Sequence, residues 1–339
     1  MGRIIMAVVL FLLLIVFHEF GHFIVAKLSG IKVNEFAIGM GPLIFSKEKG
    51  ETTYSLRLIP IGGYCAMEGE DEESNDPRSY DNAASYKRFL TILAGPMANL
   101  IIALVVFTIV GFCSGVVTNQ IGNFTEDSPA KASGLEIGDE IREVNKKEIK
   151  DFSDIPKYIN EFYEKNSEGT PILVTSYRKS TDTVSINEIA CTKHENSYAL
   201  GIEAKLRKTG FLEAIGLGFK ETGKNIVMIF VILKRLFTGA LSFGALSGPV
   251  GVLKEIGNQA ANGLMSLLYF LGYISVNLAV FNLLPIPALD GSKLLTSGLE
   301  MIFGIKVNKK IEEKVTIVGF FVLIGLIVLV SIKDLINLF

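Results

Sequence analysis

This 339-residue chain has few cysteines and no excess of positive charge, and each shortage excludes something. The three cysteines, Cys65, Cys113 and Cys191, are odd in number, far apart and form no CxxC. They point to neither a disulfide framework nor a cysteine-rich metal site. An excess of positive charge is missing too. With 33 basic and 35 acidic side chains, the formal net charge of −2 argues against a nucleic-acid partner. No internal repeat is evident. Histidine is also rare, with only His18, His22 and His194, and two of these three stand four residues apart.

Apolar residues, by contrast, are abundant and clustered. They make up 49% of the chain, and the mean hydropathy is +0.42. A bilayer-spanning helix needs about 20 mostly apolar residues. Four segments qualify: 4–26, 89–113, 264–284 and 315–332. The first does not read as a cleaved signal peptide. Arg3 and an apolar run are followed by His18 and Glu19 rather than by a small-residue cleavage site. Met1-Gly2 without Ser or Thr at position 6 gives no myristoylation signal. Lys and Arg crowd the loops between spans one and two and between spans three and four, so both loops are expected in the cytoplasm. The termini and the long insert after span two then lie outside.

The first cytoplasmic loop, 31–70, reads as strands. Residues 36–45 and 53–61 favour β structure around the turn signal Lys49-Gly50-Glu51. Gly62-Gly63 permits a tight bend or a close backbone approach. Two readings stay open: a cytosolic hairpin, or a hairpin dipping toward the membrane whose edge pairs with an extended substrate. The acidic run from Glu68 to Glu73 reads as a solvated loop.

The insert, 115–206, reads as a compact β-rich domain with a short helix near 155–164. Ser128-Pro129-Ala130 and the stretch from Ser133 to Ile141 resemble the helix and the Gly-Leu and Gly-Asp turns of a PDZ domain. Ala199-Leu200-Gly201-Ile202 resembles the carboxylate-binding loop of the permuted bacterial form. Segment 207–262 holds an apolar run, 226–233, flanked by Lys224, Lys234 and Arg235. It is too short to span, and it suits an amphipathic helix on the outer membrane surface. The expected architecture is a polytopic α-helical membrane protein with four transmembrane helices. Its core has two halves, 1–114 and 263–339, around the insert and the interfacial segment.

The chemistry centres on His18-Glu19-Phe20-Gly21-His22. On a helix, residues i and i+4 lie about 40° apart, so both histidines can bind one metal. Glu19, beside them, is placed to take a proton from water. A catalytic zinc needs about three protein ligands and an open position. His194 falls in the external insert. Val25 and Leu28 occupy the positions where a metzincin would carry its glycine and third histidine. The third ligand is therefore a carboxylate or a cysteine. Asp290 is the leading candidate. It follows Asn282-Leu283-Leu284-Pro285-Ile286-Pro287-Ala288-Leu289 at the cytoplasmic end of span three, level with the end of span one. The prolines break that helix, which a membrane tolerates only where protein or water receives the freed backbone groups. A metal transporter and a PDZ-bearing scaffold with a degenerate site are rival classes. The HExxH spacing and the peptide-recognition insert disfavour the first, and the intact Glu19 the second.

Together these residues resemble the site-two protease family of intramembrane zinc metalloproteases, closest to the bacterial regulator-of-sigma-E type with a single PDZ domain. Supporting stretches are Ser55 to Tyr64, Ala94-Gly95-Pro96-Met97-Ala98-Asn99 and Ser247-Gly248-Pro249-Val250-Gly251. The resemblance implies Zn2+ at His18, His22 and Asp290, with Glu19 as the catalytic base. It implies a membrane-re-entrant β element at Gly62-Gly63 and a substrate-holding role for Asn282 near Pro285. It implies substrates that are transmembrane proteins already cut by an upstream protease, such as anti-sigma factors or remnant signal peptides. It also implies a place in the bacterial inner membrane. Some relatives carry two PDZ domains where this chain has one.

Overall fold

The computed structural model describes residues 2–70, 74–194, 197–242, 244 and 247–336. In chain order the elements are α1 (Gly2–Leu28), β1 (Val33–Lys49), β2 (Thr52–Met67), α2 (Ser85–Ser114), β3 (Val116–Phe124), α3 (Pro129–Ala132), β4 (Glu140–Val144) and β5 (Lys147–Glu148). They continue with α4 (Asp154–Tyr163), β6 (Ile172–Arg178), β7 (Thr183–Ile189), β8 (Thr192–His194), β9 (Ser197–Ala199) and β10 (Ile202–Arg207). The last are α5 (Phe211–Phe237), α6 (Pro249–Ala261), α7 (Leu264–Leu283), α8 (Asp290–Phe303) and α9 (Lys309–Ile336). Two compact units result, one from Met1–Val110 with Ala214–Phe339, the other from Gly111–Glu213.

Among the described residues of the first unit four helices are long and apolar enough to cross a membrane: Val8–Leu28 of α1, and α2, α7 and α9. This is the build of a multi-pass membrane protein. The helix of the fourth span starts at Lys309, earlier than its apolar stretch, because Lys and Glu support a helix while limiting only its lipid-facing part. Small residues let α1 and α2 cross closely. A Cβ added at Gly21 would lie 2.4 Å from the Ala94 carbonyl oxygen. α5 covers 27 residues, far more than its apolar run. It lies against α2 and α7: Ile229 is buried with Ala103, Phe107, Val276 and Val280.

The two strands β1 and β2 each fold back on themselves. Segment 43–49 pairs with 52–57, and 33–38 pairs with 63–67 while also lying beside 53–56. The reversals fall at Gly39, Gly41 and Gly62, whose φ values of 84°, 79° and 90° suit glycine. What the sequence suggested as one hairpin is thus a small four-segment sheet, with 63–67 as an outer segment. The acidic run is not simply solvated. Lys293 Nζ donates to Glu70 Oε1 at 2.7 Å, and Lys32, Asn34 and Ser74 donate to Glu68. The bonds from Ser74, Asn34 and Lys32 pull the Glu68 carboxyl down to about 2. Asp71, Glu72 and Glu73 lie outside the described residues.

The second unit has a sheet in the order β10-β3-β4-β6-β7, with β5 paired to β4, and a separate β8-β9 ladder. Its core holds Ile121, Ile141, Ile172, Val174 and Ile189 together with Ile155, Ile159 and Tyr163 of α4. Those α4 positions follow the helical spacing of one buried face. Pro129 opens α3, and Ser128 caps it by accepting from the Lys131 amide. The turn before β4 is pinned by Asp139, which accepts from the Glu136 amide and from Arg178 Nε and Nη2. Burial pushes the Cys191 thiol up to about 11, so it packs as a small apolar group.

Candidate metal centre

Helix α1 carries His18, Glu19 and His22 on adjoining turns. Both histidines are buried, and their Nε2 atoms lie 3.2 Å apart. Asp290 comes to the same point from far along the chain. α7 ends at Leu283, and Pro285 and Pro287 lack the amide protons needed to continue it. The chain then turns sharply enough that a Cβ on Gly291 would sit 1.8 Å from the Leu284 carbonyl oxygen. Ala288 adopts φ 71°, a left-handed conformation that a non-glycine residue holds only at some cost. α8 then begins at Asp290, whose Oδ2 lies 3.0 Å from His18 Nε2 and 3.4 Å from His22 Nε2.

Three donor atoms therefore form a triangle with sides of 3.0, 3.2 and 3.4 Å. Ligands about 2.0–2.1 Å from a tetrahedral zinc lie roughly 3.3–3.4 Å from one another, so the triangle fits one such ion. Asp290 Oδ2 is buried and has no hydrogen bond of proper geometry, although two imidazole nitrogens lie close by. A buried carboxylate oxygen in that condition calls for a cation. His22 is oriented for it. Its Nδ1 donates to the Thr91 carbonyl oxygen at 2.8 Å, which leaves a lone pair on Nε2 toward the other donors.

Glu19, with His18, Asn99, Asn282 and Asp290, borders a cavity of about 240 Å³. Asn282 Nδ2 lies 3.4 Å from His18 Nε2. A Cβ added at Gly63 would lie 3.7 Å from Glu19 Cγ and 2.8 Å from the Ala37 carbonyl oxygen. The tight approach is to Ala37, so glycine is needed there for the outer segment to pack on its sheet neighbour, while toward Glu19 a methyl would make only ordinary contact. Gly62 instead sits at the bend beside Met40. Pro285 shapes the break before Asp290 and bonds to none of the donors. Leu200, Gly201 and Ile202 lie in the second unit, where they line a separate cavity of about 580 Å³ with Phe152, Ile159 and Tyr198. Reading for donors alone misses Thr91, Gly95 and Asn99 of α2. A Cβ on Gly95 would fall 2.2 Å from His22 Nε2. The available signal was a Gly-Pro pair and a lone amide within an apolar span.

The sequence profile of Peptidase family M50 matches residues 6–326. A Clostridium perfringens protein is 38% identical over 335 residues, covering 98% of each chain. One from Clostridium acetobutylicum is 37% identical over 98% of this chain and 97% of its own. One from Staphylococcus aureus is 29% identical, again over 98% of this chain and 97% of its own. Each carries the name "Putative zinc metalloprotease".

Proposed function

This chain belongs to peptidase family M50, the zinc-dependent site-two protease family, and on that footing we propose that it hydrolyses peptide bonds within or beside the transmembrane segments of other membrane proteins. The observation that carries the reading is the donor triangle of His18, His22 and Asp290 with Glu19 on the wall of the adjoining cavity. His18, His22 and Asp290 would hold the zinc, which would supply a Lewis acid for carbonyl polarisation and water activation. Glu19 takes the proton from the attacking water and returns it to the departing amine nitrogen. Asn282, beside His18, holds the substrate near the reacting carbon.

A transmembrane helix hides its carbonyls in internal hydrogen bonds, so a substrate must unwind before it is cut. The outer sheet segment at Gly63, which passes beside Glu19, offers backbone groups to an unwound strand. We assign the second unit as a PDZ domain outside the cytoplasm. Its cavity beside Leu200, Gly201 and Ile202 favours capture of a carboxyl terminus left by an earlier cut over a purely steric filter. The substrates are then membrane proteins trimmed by an upstream protease, such as anti-sigma factors or remnant signal peptides. The enzyme sits in the bacterial inner membrane with its metal centre toward the cytoplasm.

Two substitutions test this. Glu19→Gln should abolish cleavage of a tagged membrane substrate, by at least ~100-fold, while zinc stays bound. Asp290→Ala should lower zinc stoichiometry in the purified protein. Normal turnover by the first variant, or full zinc in the second, sinks the assigned roles.

A further inference from the structure

The two histidines of the metal centre are supported unequally, and the weaker support carries an inference that rests on the zinc reading above. We propose that Asn99 is the positioning residue for His18. Its side-chain carbonyl accepts from His18 Nδ1–H, which fixes the tautomer that leaves Nε2 free to bind the metal.

Asn99 is fully buried in α2, a helix otherwise apolar at this level. Among the described residues, Nδ1 of His18 has one hydrogen-bonding neighbour, Asn99 Nδ2 at 3.3 Å. The oxygen of the same amide, Oδ1, is buried with no partner. Leaving such an acceptor unpaired is costly. A histidine that binds metal through Nε2 carries its proton on Nδ1 and must donate there. Facing an amide nitrogen, that proton meets another donor. Rotating the amide by half a turn exchanges two nearly isosteric groups, turns the donor-donor clash into a hydrogen bond, and leaves the amide nitrogen in the position that Oδ1 vacates. Oδ1 gains a donor, and Nδ1–H gains an acceptor. In the unrotated arrangement His18 accepts at Nδ1, so its proton sits on Nε2, facing Asp290 Oδ2 at 3.0 Å. That arrangement leaves no lone pair for a metal.

His22 shows what complete support looks like. Its Nδ1 meets a carbonyl oxygen, which can only accept. Thr91, Gly95 and Asn99 stand at intervals of four on α2 and form one stripe toward α1. Thr91 orients His22, Gly95 makes room for its ring, and Asn99 orients His18. The backbone beneath Asn99 is itself held, because Ser275 Oγ of α7 donates to the Asn99 carbonyl at 2.7 Å.

The test measures zinc affinity of the purified full-length protein by competition with a chelator, in the wild type, Asn99→Leu, Asn99→Asp and His18→Ala. Asn99→Leu should bind zinc ~10–100-fold more weakly, whereas Asn99→Asp, which keeps an acceptor, should stay within about threefold or bind more tightly. Unchanged affinity in Asn99→Leu overturns the proposal. So does equal weakening in both variants, which would mean that the amide nitrogen is the needed group. His18→Ala separates the two readings. If it keeps full zinc affinity, the metal centre itself is misassigned. If it loses zinc while Asn99→Leu does not, only the role of Asn99 falls. Should Asn99→Leu fail to fold, nitrogen-15 spectra of labelled histidine in the zinc-loaded wild type decide. With three histidines in the chain, His18 can be assigned. Its Nδ1 should be protonated and should shift in Asn99→Asp, and an unprotonated Nδ1 overturns the proposal.

Discussion

In the inserted unit Ile121, Ile141, Ile172, Val174 and Ile189 are at most 1% exposed, whereas in α9 Val318, Phe321, Val322 and Leu329 are 63–68% exposed. The side chains are of one kind, but the surroundings differ. Water drives the first set into a core. A lipid-facing unit has no such contrast, and its interior is set by close packing and polar contacts. Two sets of buried polar groups, one from each unit, therefore mean different things. In the membrane unit His18, His22, Thr91 and Asn99 gather around one point. In the inserted unit Asp139 is buried to hold a turn. The first polar set surrounds the candidate metal centre, and the second is a staple.

The strongest way to break that comparison is Gly95→Ala. The added methyl would lie 2.2 Å from His22 Nε2, so an atom proposed to bind the metal is itself displaced. Zinc affinity should fall by at least ~100-fold, beyond the usual loss of an outer partner. Chelator competition measures it. Near-normal affinity would show that α2 does not set the position of His22.

Lipid exposure is tested next by one substitution and its control. Val322 lies near the middle of α9 and is 64% exposed. Val322→Lys should reduce membrane insertion of α9 by roughly 2.5–3.5 kcal/mol, read as the inserted fraction. Ile186→Lys in the inserted unit, at 68% exposed, should change stability by no more than ~0.5 kcal/mol. Equal effects at the two sites would erase the distinction drawn from exposure.

Much of this was legible in the sequence. The four spans follow from apolar length alone, and α4 from the spacing of Ile155, Ile159 and Tyr163. The pairing of His18 with His22 follows from helical periodicity, and Asp290 from the scarcity of histidine. What was hidden depends on long-range packing. No local pattern says that β1 and β2 fold back into four segments, because Gly39, Gly41 and Gly62 fix the bends only once their neighbours are in place. Thr91 acts through a backbone carbonyl, which has no letter in the sequence. Glu70 reads as one charge in an acidic run until Lys293, 223 residues away, is brought beside it.

The smallest effect sharpens the comparison from the side of the inserted unit. Hydrogen bonds from Arg178, opposed by burial and aided by the Glu136 amide, hold the Asp139 carboxyl below its usual range. A carboxyl with a lowered folded pKa stabilises the fold fully above its unfolded value, about 3.9, and loses that contribution as pH falls toward the folded value. Asp139→Asn should therefore cost about 1–3 kcal/mol at neutral pH, because Arg178 loses the buried one of its two charged partners and keeps only Glu136. The difference from wild type should shrink as the pH drops below about 4, where the wild-type carboxyl also becomes neutral. Thermal unfolding followed across pH measures both. Zinc affinity should not move, since Asp139 is a staple and not a ligand. If zinc binding weakened together with stability, buried polar groups in the two units would share one role, and the division between chemistry and scaffold would have to be given up.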